Sequence, residues 1–314
     1  MMPPAVAEAQ RFVAETYGER ATILHALGAG AWSQAYAFTL DGQPAVIRFG
    51  HYVDDFRKDQ AMAAHSCPAL PVPAVTEIGR AEIGHTGIGA VYFAVSERAP
   101  GRILNDLDAA GLRAVLPGLL TALDAARDID VTGAGGYGLW DPGGRGRYLT
   151  WPDALLACNQ ETERVPGWRA ALERSPVGLG PFDEAYARLQ RLVEGLPEER
   201  HVIHGDLANR NVLVLGADIT AVIDWGNSLY GDYLYDAAWL IYWWRWYPQW
   251  KSIDIRAEMS RHWKQTGGLP ADLEHRLHAY FVHIGLDAMS YNAFTGRWDA
   301  LARNAKQISQ LLRP

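Results

Sequence analysis

Apolar positions at helical spacing (Val6, Phe12, Val13, Tyr17) run over residues 5–18 and stop at Gly18, which predicts an opening helix. The pattern then shortens to extended runs, "ATILHAL", "QAYAFTL" and "PAVIRFG", the last two joined by the turn signal "DGQP". "DDFRKDQAMAAHS" reads as a helix opened by acidic residues. "LPVPAV" is extended or turning, because a residue before proline avoids the helical region. "GIGAVYFAVSER" reads as a buried strand that "APGR" ends. Residues 1–98 therefore predict an antiparallel sheet with one interposed helix. Past Pro100 and Gly101 the pattern predicts a helix over 105–128, a glycine-rich loop over 133–148 and helices over 151–172 and 182–195. Two short strands follow in "NVLVLGADITAVIDW" around the turn "GAD", and from Asp232 onward the pattern is helical and aromatic. The fold class is α+β, with a hinge at about residues 96–101 between an N-terminal lobe (1–98) and a C-terminal lobe (99–314).

Composition narrows the function classes. A chain of 314 residues is long enough for two lobes with cores of their own. A net charge of −7 argues against nucleic acid or an anionic membrane as partner and favours a cationic small molecule. Cys67 and Cys158 make no disulfide framework and no zinc spacing, so a reducing compartment is expected. The N-terminus lacks the basic and apolar regions of a signal peptide, and the run "AAWLIYWW" is too short to span a bilayer. A cytoplasmic protein, acting as a monomer, is the expectation.

The chemistry concentrates in "HVIHGDLANRNVLV" and the "VIDW" that follows. His204-Gly205-Asp206, then Asn211, has the spacing of a phosphoryl-transfer catalytic loop, and Asp224 ends the next strand where a metal-binding Asp would stand. Phosphoryl transfer asks for positioning and charge neutralisation. Asp206 would orient an acceptor hydroxyl and take its proton. Asn211 and Asp224 are hard oxygen donors suited to Mg²⁺ on a nucleotide's phosphates. His204 buttresses the loop. Taken singly, each residue reads better as a turn or cap; together they favour catalysis. Upstream, Gly28, Gly30 and Ser33 in "LGAGAWSQAY" form a glycine stretch between extended runs, where backbone amides would approach phosphates. Arg48 stands on a strand where a phosphate-gripping cation belongs, with Asp59 on the next helix as its anionic partner. Arg210, four residues after Asp206, would reach that carboxylate or the transferred phosphoryl group.

These stretches resemble the aminoglycoside phosphotransferase family of kinase-fold small-molecule kinases. The likeness runs through "HYVDDFRKD", "ALPVPAVTEIG", "YGLWDPGGRGRYLTWPDAL", the catalytic loop, "YGDYLYDAAW" and "IGLDAMSYNAFTGRWD". "GRGRYLTW" and "IGLDAM" point to the branch that acts on hygromycin B. The resemblance implies a bilobal protein-kinase-like fold with a small antiparallel-sheet N-lobe, a larger helical C-lobe, and nucleotide at the hinge. It implies ATP or GTP as co-substrate, Mg²⁺, and an antibiotic acceptor. It makes Asp206 the base, Asn211 and Asp224 the metal ligands, and Ser96 and Arg98 the hinge groups that meet the nucleotide base.

The acceptor side is less sharply drawn. Ten aromatic residues fall between Tyr230 and Trp250, more than one helix face can bury, so Trp239 and Trp243 are candidates to stack on a sugar or ammonium group. Asp232, Asp236 and Asp287 lie in stretches that match the family's acceptor lobe. Asp232 reads equally well as a helix cap. Asp287 sits within an apolar helical run, where a charge needs a partner or a water-filled cleft. Two other readings stay open: a kinase of the same fold acting on a macrolide, amino alcohol or metabolite, and a non-catalytic nucleotide-binding module.

Overall fold

The computed structural model describes residues 6–30, 32–83, 91–208 and 210–313. The chain divides into two compact units. The first takes in Met1–Leu107, Ala114–Ala122 and Asn209–Asn227, and the second Asp108–Arg113, Leu123–Ala208 and Ser228–Pro314.

In chain order the first elements are α1 (Val6–Tyr17), β1 (Ala21–Ala29), β2 (Ser33–Leu40), β3 (Gln43–Gly50), α2 (Val53–Ala63), β4 (Val75–Ala81), β5 (Val91–Glu97), β6 (Arg102–Ile103) and α3 (Ala109–Arg127). β1 to β5 form an antiparallel sheet in the order β1-β2-β3-β5-β4. Asp41 and Gly42, both at positive φ (50° and 77°), close the β2–β3 hairpin in the turn that Asp-Gly favours. Alternation on β3 buries Ala45, Ile47 and Phe49 in one core with Ala9, Val13 and Tyr17 of α1 and Phe93 and Val95 of β5. Each such large side chain contributes about 1.5–3 kcal/mol. The same period of two turns Arg48 to the opposite face. Residues 87–90, the start of the expected buried strand, lie outside the described residues. α3 starts at Ala109 rather than 105, because Asp108 caps it by accepting the Gly111 N–H at 2.8 Å. α3 is long and apolar enough to cross a bilayer (mean hydropathy 1.3). Its Leu112, Val115, Leu116, Leu119 and Leu120 are buried, as in a core helix.

The remaining elements are β7 (Tyr137–Trp140), β8 (Gly146–Tyr148), α4 (Trp151–Leu156), α5 (Trp168–Glu173), α6 (Gly180–Leu192), β9 (His201–Ile203), β10 (Val212–Leu215), β11 (Asp218–Val222), β12 (Leu229–Gly231), α7 (Leu234–Trp244), α8 (Ile255–Thr266), α9 (Leu273–Phe294) and α10 (Trp298–Leu311). β10 and β11 are the hairpin expected around "GAD". They belong to the first unit, where β6 adds a third strand through the pairs Ile103–Leu213 and Arg102–Val214.

The second unit holds a small sheet in the order β8-β7-β12-β9. The expected loop over 133–148 is in fact the β7–β8 hairpin, with Tyr137 opposite Tyr148 and Trp140 opposite Gly146. Its strands are too short and glycine-dense to show alternation. The expected helix over 151–172 is broken into α4 and α5, because Pro166 and Gly167 (φ 67°) interrupt it. α9 is the spine, with Leu277, Tyr280, Ile284 and Met289 buried, packed on α5, α6, α7 and α10. Most of the α7 aromatics are core, including Tyr235, Tyr242 and Trp244. Both cysteines are free thiols.

Candidate active site

In the first unit, α2 and β3 converge on the turn after β11. Arg48 is paired with Asp59 of α2 through its Nη2, and its Nη1 lies 3.7 Å from Asp224 Oδ1. Burial works against the Arg48 charge, but Asp59 and Asp224 outweigh it and hold its pKa above the ordinary guanidinium value. The other oxygen of Asp59 accepts the Trp225 N–H at 2.7 Å. One carboxylate thus ties the strand cation to the segment that carries Asp224. Asp224 itself adopts the left-handed conformation (φ 64°), which a non-glycine residue keeps only where surroundings impose it.

Asn211 is next to Asp224 by register. Its carbonyl accepts the Ile223 N–H at 2.9 Å, and β10 and β11 begin pairing at Val212–Val222. Backbone register brings the two residues together, and an amide oxygen with a carboxylate suits a Mg²⁺ ion, which is bound through one or two protein oxygens plus phosphates rather than by a cage.

The other residues expected to meet the nucleotide lie in or beside the sheet. Gly28 and Gly30 are exposed at the β1–β2 connection. The Gly30 N–H donates to the Ser33 carbonyl at 2.9 Å, and Gln34 donates to the Gly28 carbonyl at 2.8 Å. Ala31, which follows Gly30, lies outside the described residues. Ser96 is within β5, opposite Val46 and Val75. The Arg98 N–H is given to the Pro44 carbonyl at 3.3 Å. Arg210 lies at the surface. Its guanidinium is 61% exposed, 3.3 Å from Asp106, and its N–H donates to Asn105 Oδ1 at 3.0 Å. The side chain is held as a surface ion pair at the edge of the loop.

In the second unit, the catalytic loop is hung from α7. The Asp236 carboxylate accepts the backbone N–H of His204 (2.7 Å) and of Gly205 (2.8 Å), with both groups buried. Burial pushes the Asp236 carboxyl above its usual range, opposed by His204 and these two donors. The Asp206 N–H donates to His204 Nδ1 at 3.2 Å, so the histidine does buttress the loop, and Tyr247 holds its far side through the Ala208 carbonyl at 2.8 Å. Asp236 therefore positions the loop from beneath.

Asp232 is equally committed. Its Oδ1 accepts from Leu234 N (3.0 Å) and Arg276 Nη2 (2.5 Å), and its Oδ2 accepts from Arg276 Nε (2.7 Å) and the Tyr280 hydroxyl. Four donors occupy the roughly four acceptor sites of a carboxylate, and the residue is fully buried. Its bond from the Leu234 N–H ties it to the start of α7. Arg276, Tyr280 and Trp151, whose indole donates to Tyr280 at 3.2 Å, complete this floor. None of the three is marked by local sequence pattern, since each lies at least 44 residues from Asp232.

Asp287 is the contrasting case. It is exposed on an otherwise buried stretch of α9 and makes no hydrogen bond or ion pair among the described residues. Protein crowded around it excludes enough water to push its carboxyl up to about 6. Its charge raises the pKa of the Cys158 thiol and the Tyr235 hydroxyl, beyond the larger effect of their burial, so the three are neighbours. Tyr235 bonds His283 at 2.9 Å, and burial pushes that imidazole down to about 4. Tyr235, Trp239 and Trp243 then follow at one-turn spacing along one face of α7, with ring centroids 6.4 Å and 5.8 Å apart. Trp239 and Trp243 are half-buried, and their indole N–H groups have no partner among the described residues.

The phosphotransferase enzyme family (APH) pattern matches residues 23–280. Hygromycin-B 4-O-kinase of Escherichia coli is 31% identical over 298 residues, 93% of this chain and 81% of that protein. A thermostable mutant of aminoglycoside phosphotransferase APH(4)-Ia, solved as a ternary complex with AMP-PNP and hygromycin B, superposes with a TM-score of 0.81 at 29% identity over 97% of both chains. Spectinomycin phosphotransferase APH(9)-Ia matches at a TM-score of 0.60 and 12% identity, over 100% of this chain and 96% of that one, a likeness of fold alone. The α+β, kinase-like architecture expected from the sequence is therefore the observed one, and the chain belongs to the phosphotransferase enzyme family.

Proposed function

We propose that the chain is an aminoglycoside O-phosphotransferase that moves the γ-phosphoryl group of a nucleoside triphosphate to a ring hydroxyl of a hygromycin B-like aminocyclitol. The observation that carries this is the joining of Arg48, Asp59 and Asp224 within the first unit, and it is supported in the second unit by the held loop of Asp206 and by Asp287, a carboxylate near Tyr235 with no partner among the described residues. The 31% identity to a hygromycin-B 4-O-kinase supports the choice of acceptor, and the complexes of APH(4)-Ia with AMP-PNP or ADP support a nucleotide co-substrate.

The roles follow from the residue chemistry. Asn211 and Asp224 would hold Mg²⁺, which when bound neutralises charge on the phosphates. Arg48, kept charged by Asp59, grips phosphate oxygens; a guanidinium forks well onto them. The glycine stretch at Gly28 and Gly30 leaves backbone open to the phosphates. Asp206 accepts the proton of the acceptor hydroxyl while its oxygen bonds to the γ-phosphorus and the bond to the bridging oxygen breaks. Asp236 keeps Asp206 in place without touching substrate. Asp287 meets an acceptor ammonium, and Trp239 and Trp243 offer ring faces to the sugar. On this reading Asp232, whose carboxylate already has four donors, stays out of acceptor binding, and Arg210, paired with Asp106, stays out of the catalytic set.

The test is a steady-state assay with Mg²⁺ and ATP or GTP across hygromycin B, a kanamycin-type aminoglycoside, a macrolide and no acceptor. Hygromycin B is expected to stimulate transfer most. Transfer to another acceptor alone would move the protein to a different substrate. Nucleotide binding with no transfer to any would favour a non-catalytic module.

A further inference from the structure

α2 carries Asp55, Lys58 and Asp59, which at a spacing of three and four residues share the helix face turned to the segment after Asp224. Each grips that segment at a different point. Asp59 takes the Trp225 N–H at 2.7 Å. Lys58, a lysine only 3% exposed, donates its Nζ to the Gly226 carbonyl at 3.1 Å. Asp55 lies so close to Gly226 that a Cβ there would meet its Cγ at 2.7 Å, so only glycine fits. A buried ammonium is costly unless its hydrogen bonds are made, so a lysine in this place has a task. It stands beside the Arg48 partner Asp59, yet one of its three donors goes to backbone one residue past Trp225.

We infer that Lys58 is a positioning residue: with Asp59 it clamps the turn Asp224–Asn227 onto α2 and so fixes the direction in which Asp224 presents its carboxylate. This rests on the reading of Asp224 as a metal ligand. Asp224 is left-handed, 3.7 Å from Arg48, and followed by two backbone groups held by α2. Mg²⁺ demands near-ideal octahedral geometry, so a ligand free to swing binds it poorly even when the residue is intact. Loss of the clamp should therefore weaken the metal-dependent part of nucleotide binding and leave the metal-free part alone.

The experiment measures nucleotide affinity by calorimetry with and without Mg²⁺ on the full chain, for the native protein, Lys58→Met and Asp224→Ala. The ratio of the two affinities is the readout. Asp224→Ala is expected to abolish the Mg²⁺ enhancement. Lys58→Met is expected to lower it at least about fivefold, roughly 1 kcal/mol, with metal-free affinity within twofold of native. Should Lys58→Met fail to fold, Lys58→Gln, neutral and shorter but polar, is read by the same ratio. If Asp224→Ala abolishes the enhancement while the Lys58 variant keeps it in full and merely melts earlier, Lys58 is structural and the inference is overturned with the metal reading intact. If Asp224→Ala keeps the enhancement, the metal reading falls and takes the inference with it.

Discussion

Asp232 and Asp287 lie in the same unit, and both belong to stretches that suggest acceptor binding, yet the fold treats them in opposite ways. Asp232 has Arg276, Tyr280 and the start of α7 around it and no exposure. Asp287 is exposed, with Tyr235 and Cys158 as neighbours and no counter-charge among the described residues. A carboxylate that the protein has already neutralised holds the protein together. One left unneutralised in a crowded place costs stability and is available to a ligand. The same sorting applies to the loop: Asp236 spends its oxygens on backbone donors so that Asp206 can face chemistry.

This sorting can be broken by substitution. The largest effect is expected at Asp206. Asp206→Asn should lower kcat by roughly 10²–10⁴, the range of a general base, with nucleotide affinity nearly unchanged. A variant keeping more than half the native kcat would remove Asp206 from the chemistry. Next comes the buried pair. Asp232→Asn should destabilise the fold by roughly 3 kcal/mol, because Arg276 loses its bidentate partner and keeps only Glu199, 3.5 Å away, as counter-charge. Denaturant unfolding checks this, and a stable variant with a raised acceptor KM would instead return Asp232 to the binding site.

Asp287 should behave in the reverse way. Asp287→Asn is expected to raise the acceptor KM about tenfold, or ~1.4 kcal/mol, without changing the nucleotide KM. Its carboxyl is pushed up in the fold, so its favourable contribution is present below the ordinary carboxylate pKa of about 3.9 and is lost as pH rises through about 6. At neutral pH the Asn variant should therefore melt slightly higher than native. A lower melting temperature would show that the charge has a partner after all. The smallest effect is expected at Arg210: Arg210→Ala should leave kcat within about twofold, as for an exposed ion pair worth roughly 0–1 kcal/mol. A large fall in kcat would restore its catalytic role.

What was legible in the sequence was what short-range chemistry dictates. The Asp-Gly turn, the alternation on β3 and the hairpin after Asn211 are local, and so is the eleven-residue step from Arg48 to Asp59 that the structure turns into an ion pair. The β7–β8 hairpin was hidden because three- and four-residue strands show no period. The break between α4 and α5 was signalled by Pro166 and Gly167 but outweighed by the apolar spacing around them. The partners of Asp232 could not be read at all, since Arg276 and Tyr280 reach it across 44 and 48 residues. Lys58 was hidden in "DDFRKD", where a lysine among acids reads as a solvated helix face; only burial reveals its grip on Gly226.

The division of labour between the two carboxylates is tested most directly by the pH dependence of kcat/KM for hygromycin B in the native protein and in Asp287→Asn, with nucleotide saturating. In the native protein the value should fall below about pH 6 as Asp287 takes up a proton and ceases to attract an ammonium. The Asn variant should be lower at neutral pH and lack that fall. Superimposable profiles for the two proteins, at equal absolute values, would contradict it and leave Asp287 without a part in acceptor recognition.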